Sequence, residues 1–371
     1  MEDKLSAIQG CMLGMAVGDA MGAGVDNKSL RDIQADYGPD GLLGYDLANG
    51  LAEISSYTQV AAFAVNGMLV GMTRGQLRGP FAPHIAVGLK EWARSQYFPR
   101  ETERRSCWLC HESHMRRRRV MDLRTLDALT RDVTGTPEKP ANSANGPGTL
   151  PAAAVVGLLF SPDRMQAADV GTLGAQTVAL THGDAMTFLS GAALAYAVAG
   201  IIQDPKSSLA EHFTNAADAV AVQFAAYPEA GQLQTLLRQS IALAGEEEEP
   251  RRAMERFGCM TASQVLCAAM YACLASGEDF DRAMILAINH SGKSAAVGAV
   301  TGALLGARLG LAALPEFYLE SLDAGRVLKE LSADFASSSP SKLTRKIFDD
   351  DWDRKYAHGL PVDRHGWATA D

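Results

Sequence analysis

The chain has 371 residues, of which 47% are hydrophobic and 21% charged, and its formal net charge is −9. These proportions exclude wholesale disorder, and a chain of this length buries a core readily, as one domain or as two or three. The acidic balance speaks against a nucleic-acid or anionic-membrane binder, since both need basic surface, and neither partner is expected.

Helical signals dominate in chain order. Leu5–Ala20, Thr58–Met72, Phe81–Arg94, Val155–Leu159, Met165–Leu180, Ala185–Ile202, Leu209–Ala226, Leu233–Ala244, Ala262–Ala275, Asp279–Ile288 and Gly298–Leu311 are rich in Ala, Leu, Met and Gln. Apolar residues recur in them every three or four positions, the period of a helix with a buried face. Strict alternation of β-branched and polar residues is almost absent, so no extended sheet is expected. Loop signals fall at Tyr37–Gly41, Thr134–Pro140, Asn145–Gly148 and Glu246–Pro250. The acidic run Glu246–Glu249 predicts a solvated loop before a helix starting near Pro250, where negative charge suits a helix N-terminus. No repeat of fixed period is present. The expected fold is all-α and multi-helix, one domain over 1–335, with a tail over 336–371 that packs on the body beyond Ser337–Ser341.

The start, Met1–Gly10, has no basic region followed by an apolar stretch, so no signal peptide is expected. The apolar windows Leu194–Ile202 and Ala295–Leu311 are interrupted by Gly or Arg and read as buried helices rather than membrane spans. Four of the six cysteines lie in Ala- and Met-rich helical text, as reduced core thiols of a cytoplasmic protein do.

Two motifs invite a functional reading that their chemistry does not support. Cys107–His111 (CWLCH) matches a haem-attachment pattern, and His114 follows, but attachment needs an export route. Four zinc ligands within eight residues would crowd one tetrahedral ion. Ala287–Ser294 (AINHSGKS) is a degenerate phosphate-binding loop. The text before it is helical where that loop requires a strand, and no strand ending in Asp follows. Arg116–Arg119, with Arg104, Arg105 and Arg124 nearby, reads as a solvated face or as a docking patch for an acidic partner or phosphorylated ligand.

Segments spread in order along the chain resemble the ADP-ribosylglycohydrolase family, the dinitrogenase-reductase-activating glycohydrolase group. Gly10–Val25 (GCMLGMAVGDAMGAGV) is similar to that family's opening helix with its G-D-A, followed here by Asp26. Ile54–Val60 (ISSYTQV) resembles the stretch that members write I-[ST]-D-D-T-Q. Asn142–Leu158 (NSANGPGTLPAAAVVGL) stands where a glycine-rich loop belongs, and Thr181–Gly183 (THG) resembles a T-H-x helix start. Asn289–Ala307 (NHSGKSAAVGAVTGALLGA) resembles N-H-G-G-D-[ST]-D-[ST] and its helix, and Trp352–Tyr356 resembles a common family ending.

The resemblance implies an all-α fold and a cleft where two magnesium or manganese ions orient a water and the ribose of an ADP-ribosylated substrate for glycosidic cleavage. Such ions need a dense set of anionic oxygens. At the positions of the family's first Asp pair stand Ser56 and Tyr57, with Ser55 and Thr58 keeping the hydroxyl frame. At those of the second pair stand Lys293 and Ala295, and Ala296 replaces the next hydroxyl. No magnesium or manganese is therefore expected, and no metal ligand is assigned. Gly146 and Gly148 keep the backbone freedom of the ligand loop, but Pro151 and Ala152 replace its Met-Arg. The cleft candidates are Lys293, Tyr57, Asp26 and His290 for any residual chemistry. Ser55, Ser56, Thr58, Gly146, Gly148, His182, Asn289, Gly292 and Ser294 are candidates for ligand contact. Asp19 has the alternative of capping a helix or bonding a backbone amide, and His182 that of capping the helix opening at Gly183.

Three functions follow. The first is a metal-free member that binds a nucleotide-like ligand or a protein partner without hydrolysing ADP-ribosyl bonds. The second is a cleft turned to metal-independent chemistry, with Lys293 as base or cation and Tyr57, Asp26 or His290 assisting. The third is a residual ADP-ribosyl hydrolase with ligands of another pattern.

Overall fold

A computed structural model describes residues 2–98, 107–131, 134–161, 165–246, 249–337 and 350–357. Its helices are α1 (Glu2–Ala23), α2 (Leu30–Tyr37), α3 (Ser56–Thr73), α4 (Ala82–Tyr97), α5 (Ser113–Arg116), α6 (Leu123–Leu129), α7 (Leu150–Gly157), α8 (Ala167–Ala179) and α9 (Ala185–Gln203). There follow α10 (Leu209–Gln223), α11 (Pro228–Leu243), α12 (Pro250–Phe257), α13 (Ala262–Ala275), α14 (Phe280–Ile288), α15 (Ser294–Leu309), α16 (Glu316–Ser321) and α17 (Gly325–Ser337). Among the described residues there is no strand beyond isolated bridges such as Ala52 with Leu322. The all-α expectation therefore holds.

The centre of the molecule is the antiparallel pair α1 and α15, whose contact is the most extensive between any two described helices. Its register is set by glycine: Gly10 faces Gly306, Gly14 faces Gly302, Gly18 faces Gly298, and Gly22 faces the start of α15. A Cβ on Gly14 would lie 2.3 Å from the Gly302 carbonyl oxygen, and one on Gly302 would lie 1.9 Å from that of Gly14. The two backbones touch, and the apolar faces of α1 and α15 are covered by the helices around them. α9 is long and apolar enough to cross a membrane by length and composition, and in this fold it is a core helix, mostly buried.

Differences from the periodicity reading have local causes. α7 and α11 begin earlier than their apolar runs because Pro151 and Pro228 sit in the first turn, where a missing N–H costs nothing. α2, α6, α16 and α17 are short or carry many charges, so a search for Ala- and Leu-rich text passes over them. The helix expected near Pro250 starts there, with the Glu249 carboxylate accepting from the Arg251 and Arg252 amides. Residues 247–248 of the acidic run, 338–341 of the serine stretch, and Arg104 and Arg105 lie outside the described residues.

Of the tail, 350–357 lies on the body. Trp352 donates from its indole to Thr73 Oγ1 at 3.0 Å, and the Tyr356 hydroxyl donates to Asp334 at 2.7 Å. Lys355 pairs with Glu330, Asp334 and Asp351 at 2.6, 3.0 and 3.0 Å. Burial opposes the Lys355 charge, but these carboxylates outweigh it and raise the ammonium above the usual lysine range.

The basic run 116–119 is part of this framework. Arg119 is buried and paired with Glu53 at 2.9 Å and with buried Asp323, which also accepts from the Ile54 amide at 3.3 Å. Arg117 pairs with Glu53 at 2.5 Å, and Arg116 donates to the His111 carbonyl at 3.3 Å. These pairs tie the segment before α3 to the segments before α6 and α17. Asp323→Asn is expected to lower stability by about 2 kcal/mol, the range for a hydrogen bond to a charged group. Urea denaturation checks this, with Arg118→Gln, at an exposed position of the same run, near neutral.

Candidate functional site

Three helix N-termini meet at one end of the α1–α15 pair, and each is served by a carboxylate. Asp19, near the end of α1 and fully buried, accepts from the Ser55 and Thr58 amides at 3.0 Å each. It also accepts from the Ser55 hydroxyl and, at 2.6 Å, from the Thr58 hydroxyl. The family-like serine and threonine of this stretch therefore hold the start of α3 to α1. Of the two readings for Asp19, its geometry is that of a residue bonding backbone amides at a helix start. Asp26, just beyond α1, accepts from the Ala295 amide at 3.1 Å in the first turn of α15, and from the Asn27 side chain at 2.7 Å. Asp122 caps its own helix, α6, by accepting from the Arg124 amide at 2.8 Å. A negative charge at each N-terminus meets both the unpaired amides and the helix dipole.

The three carboxylates differ in how firmly they hold their charge. Burial pushes Asp19 up to about 6 against the pull of its four hydrogen bonds. Burial also raises Asp26, opposed by the Ala295 amide and the Lys293 charge. Burial alone would raise Asp122, but the His182 hydrogen bond and charge, the Arg124 amide and Lys293 together hold it below the usual range.

Between these starts is a recess of about 30 Å³, lined among others by Asp26, Ser55, Tyr57, Asp122, Lys293 and Ala295. Tyr57 is 5% exposed, and its hydroxyl has no hydrogen-bond partner among the described residues. Burial first, and then the charges of Asp26, Asp122 and Asp19, push its hydroxyl well above the usual range, so it faces the recess as a donor. Lys293 stands at the N-cap position of α15, half-buried, and its ammonium has no hydrogen bond or ion pair to the described residues. Its charge pulls both Asp26 and Asp122 toward the ionised form.

Of the residues singled out from the sequence, Asp26, Ser55, Tyr57 and Lys293 line this recess. Ser56 is buried in the first turn of α3 and donates its amide to the Val120 carbonyl at 3.2 Å. Asn289 is buried with both side-chain atoms committed: Oδ1 accepts from the Leu42 amide at 2.8 Å, and Nδ2 donates to the Leu42 and Ile285 carbonyls. It pins the Tyr37–Gly41 turn, where Gly41 has φ 71° and a Cβ would fall 2.0 Å from Asn289 Oδ1. The ring nitrogens of His290 face the Ser291 and Ala287 carbonyls at 3.0 and 2.9 Å, away from the recess, and burial lowers its pKa. The Ser294 hydroxyl donates back to the His290 carbonyl at 3.4 Å, and Gly292 takes a φ of 122° that favours glycine.

The amides of this loop decide against phosphate cradling. Ser291 N–H donates to Glu255, Gly292 N–H to the Lys28 carbonyl, Lys293 N–H to the Cys259 carbonyl and Ser294 N–H to the Gly292 carbonyl. With Ala295 N–H on Asp26, every amide from 291 to 295 has an acceptor in the protein. A phosphate-binding loop keeps those donors for its ligand.

Behind the recess runs a chain of buried polar groups. His182, fully buried, donates from Nε2 to Asp122 Oδ2 at 3.1 Å, and its Nδ1 shares a hydrogen bond with the Thr181 hydroxyl at 2.8 Å. Thr181 in turn meets the Thr149 hydroxyl at 2.7 Å. The helix after His182 starts at Ala185 and is capped by Asp184, whose side chain accepts from the Thr187 amide at 3.1 Å, so His182 is not that helix's cap. Gly146 and Gly148 press against this dyad: a Cβ on Gly148 would lie 2.1 Å from Thr125 Oγ1 and 2.7 Å from the His182 ring. One on Gly146 would lie 2.9 Å from Asp122.

Asp122 is the recess residue that sequence reasoning missed. Its only local signal is Asp-Leu-Arg-Thr before a short apolar run, the text of an N-cap. Nothing local places it against His182, sixty residues away.

The CWLCH segment forms a short 3-10 turn with Cys107 and Cys110 buried and His111 exposed, and burial pushes the Cys107 thiol well up. Among the described residues no group of three or more His, Cys, Asp or Glu side chains is placed to hold a metal ion.

Comparisons with known proteins agree with this architecture. A solved structure described as an ADP-ribosylglycohydrolase-related protein complex shares the fold, with a TM-score of 0.57 at 21% identity over 91% of this chain and 100% of its own. No curated protein matches the chain. The family model for ADP-ribosylglycohydrolase matches residues 1–344, nearly the whole length, and the chain belongs to the ADP-ribosylglycohydrolase family.

Proposed function

We propose that this protein is a metal-free member of its family that binds a nucleotide-like ligand and does not hydrolyse ADP-ribosyl bonds. The observation that carries this reading is the donor set where α3 and α15 begin. Position 57 puts a tyrosine and position 293 a lysine into the recess, and position 295 offers only a methyl group. The carboxylates that remain are bound to helix starts: Asp19 to α3, Asp26 to α15 and Asp122 to α6. Hard divalent ions take six or more oxygens, largely anionic, so Asp26 and Asp122, the two of these three that line the recess, do not fit a dinuclear centre beside an ammonium. Lys293 puts one positive charge beside two carboxylates, and a single ammonium cannot coordinate and activate a water as a metal pair does.

Calorimetric titration with ADP-ribose, with and without magnesium, tests the reading, alongside a hydrolysis assay on an ADP-ribosylated peptide. The expected results are binding that ignores magnesium and no release of ADP-ribose. Magnesium-dependent binding or turnover would overturn it. A protein partner is the second reading, favoured by the exposed apolar side chains of Val120 and Leu123, which flank recess-lining Met121 and Asp122. Absence of any binding by ADP-ribose would move the assignment there.

A further inference from the structure

Two groups in the recess have hydrogen-bonding capacity that nothing in the described protein uses. One is the hydroxyl of Tyr57, nine-tenths buried and aimed into the space, and the other is the Lys293 ammonium. A buried tyrosine ordinarily finds a partner for its O–H, and leaving one unmade costs about 1–3 kcal/mol. The recess also holds acceptor surface. Each Asp26 oxygen takes one hydrogen bond, from Ala295 or Asn27, and each Asp122 oxygen takes one, from Arg124 or His182. A carboxylate has about four acceptor directions, so both keep capacity.

A group that completes this site must offer an acceptor to Tyr57 and Lys293 and donors to Asp26 and Asp122. Charge narrows the choice. A carboxylate or phosphate would stand beside two carboxylates, and an ammonium, a guanidinium or a metal ion would stand beside Lys293. A neutral group carrying C=O and N–H together serves both kinds of partner without that repulsion. Size narrows it further. A water needs about 10–15 Å³ of such space, so the recess of about 30 Å³ admits two or three heavy atoms and neither a purine nor a ribose.

We propose that the recess recognises the primary carboxamide of a small molecule, its carbonyl oxygen on Lys293 Nζ and Tyr57 Oη and its NH₂ on the Asp26 and Asp122 carboxylates. This rests on the reading of the chain as a metal-free ligand-binding protein, and it specifies the end of the ligand that enters. The rest of the ligand lies outside the recess.

The test is a thermal-shift and calorimetric series on the full chain with acetamide, nicotinamide, acetate and methylammonium, run beside ADP-ribose. Acetamide and nicotinamide are expected to bind saturably, with acetate and methylammonium at least tenfold weaker. Tyr57→Phe and Lys293→Met are each expected to weaken the amides at least fivefold. Because Tyr57→Phe removes one oxygen that bonds nothing in the fold, its unfolding temperature stays at or above that of the parent, which separates loss of binding from loss of structure. Acetate binding as well as acetamide would overturn the proposal. So would amide binding indifferent to both variants, or no amide binding while ADP-ribose binds; in those cases the broader ligand-binding reading stands. Silence from every compound, ADP-ribose included, would remove both.

Discussion

Gly302→Val is expected to leave no folded protein at room temperature. A methyl-sized atom at this position would already sit 1.9 Å from the Gly14 carbonyl oxygen, well inside contact distance, and valine adds two more carbons behind it. The obstacle is backbone, so no side chain can rotate aside, and relief requires α1 and α15 to separate along their length. That separation would also loosen the matched contacts at Gly10 with Gly306 and Gly18 with Gly298. Overpacking a core costs about 1–3 kcal/mol where side chains can adjust. With two backbones in the way at the longest interface of the fold, we expect more than about 5 kcal/mol, comparable to the whole stability of a typical domain. Gly302→Ala is the milder form, expected at about 3–4 kcal/mol on the same scale. Gly14→Ala combined with Gly302→Ala should cost less than the sum of the two, because the first methyl opens room for the second. Gly231, exposed near the start of α11 with nothing within 4 Å, is the control. There alanine should be neutral or stabilise by up to about 1 kcal/mol. Soluble yield and urea denaturation of the five variants, Gly14→Ala alone included, decide the matter, and a stable Gly302→Val protein would refute the seam.

Asp19→Ala is the second large effect. It removes the acceptor of two buried amides and two buried hydroxyls at the start of α3, and a cavity of carboxylate size admits no replacement for all four. At about 1–3 kcal/mol for each unsatisfied amide, plus the hydroxyls, the loss is expected near 4 kcal/mol. Asp19→Asn behaves differently. Its amide can accept through oxygen from the Thr58 groups and the Ser55 amide while its nitrogen donates to the Ser55 hydroxyl, so most of the hydrogen bonding survives. Asparagine also removes a pH dependence. In the folded chain the Asp19 carboxyl is raised from 3.8 to about 6, so folded protein holds this proton more tightly than unfolded chain. The stabilisation from that proton is full below the unfolded value and is lost as pH rises through about 6. The span corresponds to about 3 kcal/mol. The stability of Asp19→Asn relative to the parent should therefore improve on going from about pH 4 to about pH 7, by an amount of this order. Urea titrations of both proteins at the two pH values measure it. A difference that stays flat, or grows in the parent's favour, would contradict the buried, proton-retaining carboxyl.

These two positions also explain how the recess is made. The glycine seam fixes the height of α15 against α1, which sets the Ala295 amide on Asp26, and Asp19 sets the first turn of α3 beside them. Tyr57 and Lys293 then face the same space because both extend from helix starts anchored to one helix end. Displacing α1 by a fraction of a turn would part them. The site therefore depends on a contact that lies mostly along the far length of both helices.

Much of this was legible in the amino-acid order. The apolar period of three to four residues and the scarcity of alternating runs determine an all-α chain, because a helix's hydrogen bonds are local and its buried face is written into consecutive residues. The ordered motifs from Gly10 to Ala307 suffice for the family, and Ser56, Tyr57, Lys293 and Ala295, none of them a carboxylate, are visible without coordinates. Other matters belonged to the tertiary structure alone. Asp19 bonds amides 36 and 39 residues away, and Asp122 meets a histidine 60 residues on. Asn289 holds a turn 247 residues before it, and Arg119, within what reads locally as a solvated basic run, is buried on Asp323. A side chain's local text specifies what it can donate or accept, and only the packing of distant helix ends specifies who receives it. For that reason the helices were readable one by one, whereas the roles of Asp122, His182, Asn289 and His290 waited on the fold that brings those ends together.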